Sequence, residues 1–240
     1  MSQRPVFSCV IAGTLAVLSV SILAAASPTG SSPAQTGPTS GQKPRPPDRY
    51  WLAPDYVADR DAYEAKRDTD YQEGRVLDIA GVGPGMTIGE VGAGNGYFAL
   101  KLARRVGPSG KVYANDIVEN FLAETRDRAQ QQGLSNIETV LGTETDPRLP
   151  AGRLEMVFLV RVLHDLARPA DVLRQIAASL KPGARVVVVE TEVSVRDERS
   201  PVLQTRQEFL DVVARTPFVV DRIDKSLPNP RSVVLILSLK

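Results

Sequence analysis

Cysteine, histidine and aromatic side chains are scarce in this 240-residue chain, with one cysteine, one histidine and only 5% Phe, Trp and Tyr. A lone Cys9 excludes disulfides within the chain and every multi-cysteine metal centre. With His164 as the single histidine, a histidine-rich zinc or iron centre is excluded too. Only an all-carboxylate magnesium site stays open, and no residue is assigned to one. No charge of either sign dominates: 29 basic residues face 28 acidic ones, for a net charge of +1. That balance gives no field to hold a phosphate backbone, so nucleic acid is not an expected partner.

What is present is unevenly distributed. Behind Arg4, residues 6–26 read VFSCVIAGTLAVLSVSILAAA, an uncharged run ending in small residues. It reads as a secretory signal cleaved before Ser27 or as an uncleaved membrane anchor, with a buried core helix as the third possibility. The chain is therefore expected to be exported, periplasmic or extracellular, or anchored through this segment. Cys9 lies at the front of the run, the wrong place for lipid attachment. Residues 27–49 are rich in Pro, Gly, Ser and Thr and hold nothing apolar larger than Ala. They cannot bury enough surface to offset their ordering entropy and read as a flexible linker. The folded domain is assigned to residues 50–240.

In that domain short β-like runs alternate with helical stretches, the pattern of βαβ units on a parallel sheet. Strands are expected over 87–91, 111–115, 137–141, 156–160 and 185–190. Helices are expected over 57–80, 97–106, 118–132, 169–180 and 205–214, followed by a terminal hairpin over 218–223 and 233–239. The run Arg185 to Glu190 is nearly all valine, as befits a strand covered on both faces. The fold class is α/β: one Rossmann-like, doubly wound domain with a seven-stranded, mostly parallel sheet and a C-terminal antiparallel hairpin.

The first strand ends in Glu90-Val91-Gly92-Ala93-Gly94-Asn95-Gly96-Tyr97. Glycines at alternate positions between a strand and a helix let a ligand lie against the main chain at the helix N-terminus. In an open α/β sheet this is also where ligands bind, beyond the carboxyl ends of the strands. Asp116, twenty residues after Gly96, closes the second strand and is placed either to accept from a ribose diol or to cap the following helix. A dinucleotide fingerprint would need glycine where Tyr97 stands, which disfavours a nicotinamide-dependent oxidoreductase.

Written as Glu-x-Gly-x-Gly-x-Gly, the run resembles the first motif of class I S-adenosylmethionine-dependent methyltransferases. The resemblance spans roughly residues 85–190. It includes Gly85-Met86-Thr87, the strand ending in Asp116, Gly142 after the third strand, Leu163-His164-Asp165 after the fourth and Leu180-Lys181-Pro182-Gly183 before the fifth. The chain looks closest to the ubiquinone/menaquinone-biosynthesis-type methyltransferases and their exported relatives. The resemblance implies S-adenosylmethionine as cofactor and a small molecule as methyl acceptor. It places Glu90 at the methionine amino group and Gly92, Ala93, Gly94, Asn95 and Gly96 along the methionine and ribose. Asp116 would take the ribose hydroxyls, Ile117 the adenine face, and Thr143 or Glu144 the adenine amine. Glu155 stands where that family more often has Asp.

Transfer from a preactivated sulfonium needs chiefly alignment of the two partners, which supplies on the order of 7–11 kcal/mol in favourable cases. His164 is the candidate catalytic residue, as a base for an acceptor hydroxyl, or else a packing residue of its turn. Arg161 is read as a contact for an acidic substrate or as a surface ion-pair partner. Tyr56, Tyr63, Arg67, Tyr71 and Gln72 form either a lid over the cofactor or an amphipathic cover for the sheet edge. The charged segment over 192–201 is read as a loop near the site rim. A non-catalytic exported binding domain keeping this fold is the alternative from another class.

Overall fold

A computed structural model of the chain describes residues 60–198 and 202–240. The readings made for residues 1–59, including Cys9 and Tyr56, lie outside the described residues. Among the described residues, no helix is long and apolar enough to cross a membrane.

Seven strands form one sheet: β1 (Thr87–Val91), β2 (Lys111–Asp116), β3 (Ile137–Leu141), β4 (Leu154–Val160), β5 (Leu180–Thr191), β6 (Phe218–Asp224) and β7 (Ser232–Leu239). Their order is β3-β2-β1-β4-β5-β7-β6, with β1 to β5 parallel and β7 antiparallel to both β5 and β6. The helices are α1 (Arg60–Lys66), α2 (Val76–Ala80), α3 (Tyr97–Val106), α4 (Glu119–Gln131), α5 (Pro169–Ser179) and α6 (Arg206–Ala214). The strand order reverses direction between β1 and β4, which opens a crevice above their carboxyl ends.

Period-two alternation builds the two faces of the core. Val187 and Val189 of β5 join the cluster of Phe98, Leu102, Val112 and Phe158, while Val186 and Val188 join Leu159, Leu173, Ile176 and Phe209 on the other side. Each such fully buried valine contributes on the order of 1.5–3 kcal/mol. Phe98 of α3 meets Phe158 of β4 with ring centroids 5.5 Å apart. The helix starts are encoded locally. Pro169 opens α5, and Thr205 with Glu208 forms a reciprocal capping box on α6.

Three sequence expectations need correction. The stretch 57–80 is not one helix. From Arg60 it runs as α1, a π-turn over Arg67–Tyr71, a 3-10 turn over Glu73–Arg75 and then α2. The Thr69 hydroxyl donates to the carbonyls of Ala65 and Lys66, and Gln72 turns left-handed at φ 48° with its N–H on the Arg67 carbonyl. Gly74 follows at once, so helical propagation fails here. Second, β5 starts at Leu180 rather than 185. Leu180 pairs with Leu154 and Arg185 with Met156, and the extra residues on β5 bulge out through Pro182 and Gly183, the latter at φ 76°. Third, β4 starts at Leu154 rather than 156.

Candidate functional site

The glycine loop after β1 is held from three sides. Gly92, Gly94 and Gly96 all have positive φ, at 74°, 55° and 83°. At Gly92 a β-carbon would stand 2.3 Å from Cγ2 of Val162, and at Gly96 it would stand 2.8 Å from the Thr125 side chain. At Gly94 it would meet nothing within 4 Å. Glycine is thus required by packing at two positions, whereas at the middle one the missing side chain leaves an open cradle beside the N-terminus of α3.

Asp116 fixes the loop from the end of β2. Its Oδ2 accepts from the Gly94 N–H at 2.8 Å and its Oδ1 from the Val118 N–H at 3.0 Å. Burial pushes its pKa up, and these backbone bonds pull against that shift. The alternative of a helix cap fails, because the N-cap of α4 is Val118, without a side-chain cap. From α4, the Thr125 hydroxyl donates to the Gly94 carbonyl at 3.0 Å and Arg128 donates to the Asn95 carbonyl at 3.0 Å. Neither stood out in the sequence. Their i,i+3 spacing puts both on one helical face, but that face points to the loop only once α4 packs.

A second clasp comes from α1. Glu64 receives both terminal nitrogens of Arg128 at 2.8 Å and the Asn95 side-chain amide at 3.0 Å. Beside it, Asp68 accepts from the Tyr97 hydroxyl at 2.6 Å and pairs with Lys101 at 2.7 Å, while Arg67 lies 4.1 Å over the Tyr97 ring. The segment before β1 therefore attaches to the loop through Glu64 and Asp68, which sequence inspection passed over, as well as through the expected Arg67.

The other cofactor candidates are dispersed around the crevice. Glu90 is only 2% exposed near the end of β1. Ile117 and Leu141, at the carboxyl ends of the neighbouring strands β2 and β3, keep 38% and 43% exposure, an apolar surface of the kind a flat base covers. Thr143 is spent on its own turn, its hydroxyl accepting from the Asp146 N–H at 3.0 Å, whereas Glu144 is exposed. Glu155 lies at the opposite end of the sheet, where it accepts from the Thr87 N–H at 2.7 Å.

Across the crevice stand the ends of β4 and β5. His164 Nδ1 lies 2.7 Å from Oε2 of Glu190, whose Oε1 accepts from the His164 backbone N–H at 3.2 Å. Glu190 is 1% exposed. The other ring nitrogen, Nε2, is 3.3 Å from Oδ2 of Asp165. Burial alone works against the imidazolium, but the Glu190 hydrogen bond and the charges of Glu190 and Asp165 outweigh it, together with the opposing charge of Arg161. The result is a His164 pKa above its ordinary value. Arg161 has a left-handed backbone, φ 57°, and donates to the Thr191 hydroxyl at 2.6 Å. Beyond it, Glu192 pairs with Arg206 and Lys225, which holds its pKa down.

Residues 83–216, more than half of the chain, match the family model described as a methyltransferase domain. The ubiquinone/menaquinone biosynthesis C-methyltransferase UbiE of Ectopseudomonas mendocina is 30% identical over 115 residues, 48% of this chain and 45% of that protein. The nocamycin O-methyltransferase of Saccharothrix syringae is 35% identical over 115 residues, 47% of this chain and 40% of that protein. The chain thus spans less than half the length of these two curated relatives. Among solved structures, a SAM-dependent methyltransferase from Aquifex aeolicus superposes with a TM-score of 0.69 at 22% identity, covering 79% of this chain and 100% of that one.

Proposed function

Because the chain belongs to the methyltransferase-domain family, we propose that it is an S-adenosylmethionine-dependent methyltransferase acting on a hydroxyl group of a small molecule. The observation that carries the cofactor reading is the open cradle at Gly94, with the Gly94 amide fixed by Asp116. Bound there, S-adenosylmethionine supplies a methyl group on a cationic sulfur. Glu90, Gly92, Ala93, Gly94, Asn95 and Gly96 form its methionine and ribose side, Asp116 takes the ribose hydroxyls, and Ile117 takes one face of the adenine. The two candidates for the adenine amine are Thr143, whose hydroxyl also closes a turn, and the exposed Glu144.

The hydroxyl acceptor follows from His164. Glu190 holds Nδ1 as a donor, which leaves Nε2, 3.3 Å from Asp165 Oδ2, as the nitrogen to remove an acceptor's proton. A nicotinamide cofactor suits this loop poorly. Tyr97 fills the place of the third glycine, buried and bonded to Asp68.

The test is calorimetric titration of the full chain with S-adenosylmethionine, where saturable binding is expected. No heat and no thermal shift at millimolar ligand overturns the reading, and binding without methylation of any phenol or quinol returns the non-catalytic binding domain. The methyltransferase domain is assigned to residues 50–240, and the apolar run at 6–26 supports an exported or membrane-anchored placement. Cell fractionation with mass analysis of the mature N-terminus tests the placement.

A further inference from the structure

The turn that carries His164 meets the glycine loop through one side chain. A β-carbon at Gly92 would stand 2.3 Å from Cγ2, 2.8 Å from Cβ and 3.2 Å from Cγ1 of Val162. The valine therefore fills the place where a side chain at 92 would stand, and loop and turn are in direct contact there. Both chains bend just beyond the sheet to make this contact. Gly92 follows β1 at φ 74°, and Arg161 follows β4 at φ 57°, a left-handed backbone that residues other than glycine rarely adopt.

The Arg161 N–H still donates to the Val189 carbonyl of β5 at 2.7 Å. Val162 then opens the 3-10 turn Leu163–Asp165, its carbonyl accepting from the Asp165 N–H at 3.0 Å, with His164 two residues on. Val162 is half-buried and packs against the core cluster that holds Leu159 and Leu173. A β-branched side chain is stiff about its first torsion. Val162 is thus a rigid spacer, seated on the core and pressed against the loop.

We propose that Val162 is a positioning residue: wedged between Gly92 and the core, it sets the distance from the cofactor loop to His164 and with it the alignment of methyl donor and acceptor. The inference rests on the methyltransferase reading and deepens it by naming what holds the two sides of the crevice in register. In-line transfer depends on that alignment, and a displacement of about 1 Å costs on the order of a hundredfold in rate. A shorter side chain at 162 leaves the turn unsupported. One branched at the γ-carbon instead of the β-carbon takes a methyl away from the place that meets Gly92.

The experiment compares Val162→Ile, which keeps both γ-carbons, with its isomer Val162→Leu, which loses the β-branch, and with Val162→Ala, all in the full chain. Hydrogen exchange is read with and without S-adenosylhomocysteine at the loop amides of Ala93 and Gly94 and the turn amides of His164 and Asp165, all of them hydrogen-bonded. Without ligand, the turn amides are expected to exchange faster in Val162→Ala and Val162→Leu than in Val162→Ile or the unaltered chain. With ligand at about a hundred times its Kd, the exchange that binding governs slows by up to about a hundredfold. That slowing is expected at loop and turn alike in the unaltered chain and in Val162→Ile, and at the loop alone in the other two. In phenol methylation, kcat is expected to fall by about tenfold or more in Val162→Ala and Val162→Leu, with KM for S-adenosylmethionine unchanged, and to be kept in Val162→Ile. Equal exchange at the turn in the two isomers overturns the proposal, whether or not a phenol is methylated. No slowing at the loop of the unaltered chain strikes the cofactor reading instead, and the ligand-free comparison of the isomers then decides whether Val162 holds loop and turn in register.

Discussion

The Gly94 amide donates to Asp116 Oδ2 across 2.8 Å, tying the loop that follows β1 to the end of β2. One carboxylate thereby shapes the loop and stands at the ribose side of the proposed cofactor site. Asp116→Ala is expected to weaken S-adenosylhomocysteine binding by roughly ten- to a hundredfold, the worth of hydrogen bonds to a charged group. Glu155→Ala, at the far end of the sheet, is expected to leave it unchanged. Calorimetry on the two variants checks the contrast, and equal losses would refute the assignment.

Alanine at two neighbouring glycines is expected to fail in different ways. At Gly94 a β-carbon enters open space, so the fold loses only about 1–2 kcal/mol to the left-handed backbone while ligand binding is lost. At Gly92 the β-carbon strikes Val162, adding about 1–3 kcal/mol of overpacking. Thermal unfolding is expected to show the larger fall in Tm for Gly92→Ala. A Gly94→Ala chain that binds the cofactor normally would contradict the cradle.

His164 gives stability and activity opposite slopes with pH. A group whose folded pKa is raised stabilises fully below its unfolded value, about 6.5, and that contribution disappears as pH rises through the folded value. Tm is therefore expected to fall with rising pH across that window. Methylation of a hydroxyl is expected to rise across the same window, because only the neutral ring accepts the proton. Glu190→Gln is expected to flatten the first trend and move the second to lower pH, which paired melting and rate profiles measure.

The Glu64–Arg128 pair is expected to stiffen the loop from outside. Arg128→Met removes the donors to Glu64 and to the Asn95 carbonyl. A loss of roughly 1–2 kcal/mol is expected, less than for a fully buried ion pair because both side chains keep some solvent contact. Hydrogen exchange at the amides of residues 95–97 is expected to accelerate. In a double-mutant cycle, Glu64→Gln and Arg128→Met are expected to be non-additive. Additive losses would mean that the clasp is incidental.

The spans of β1, α3 and β3 coincide with their sequence expectations because local pattern and tertiary demand agree there. The alternating valines of β5 likewise declare a strand buried on both faces. Legibility fails where a role depends on register. Glu190 looks like the polar end of a valine run until the Arg161 N–H meets the Val189 carbonyl and brings the two strand ends level, with His164 beside them. Thr125 and Arg128 look like ordinary helix residues until α4 lies along the glycine loop. The break after α1 is legible in hindsight through Thr69 and Gly74, yet the left-handed turn at Gln72 has no sequence signature of its own.

Gly96 and Thr125 occupy what is nearly one volume, since a β-carbon on the first would lie 2.8 Å from the hydroxyl and the methyl of the second. Neither position can drift on its own. A larger residue at 96 would demand a smaller one at 125, and that exchange would release the Gly94 carbonyl from its hydroxyl donor. The two positions are thus expected to tolerate change only together, a constraint that the loop and the helix beneath it share.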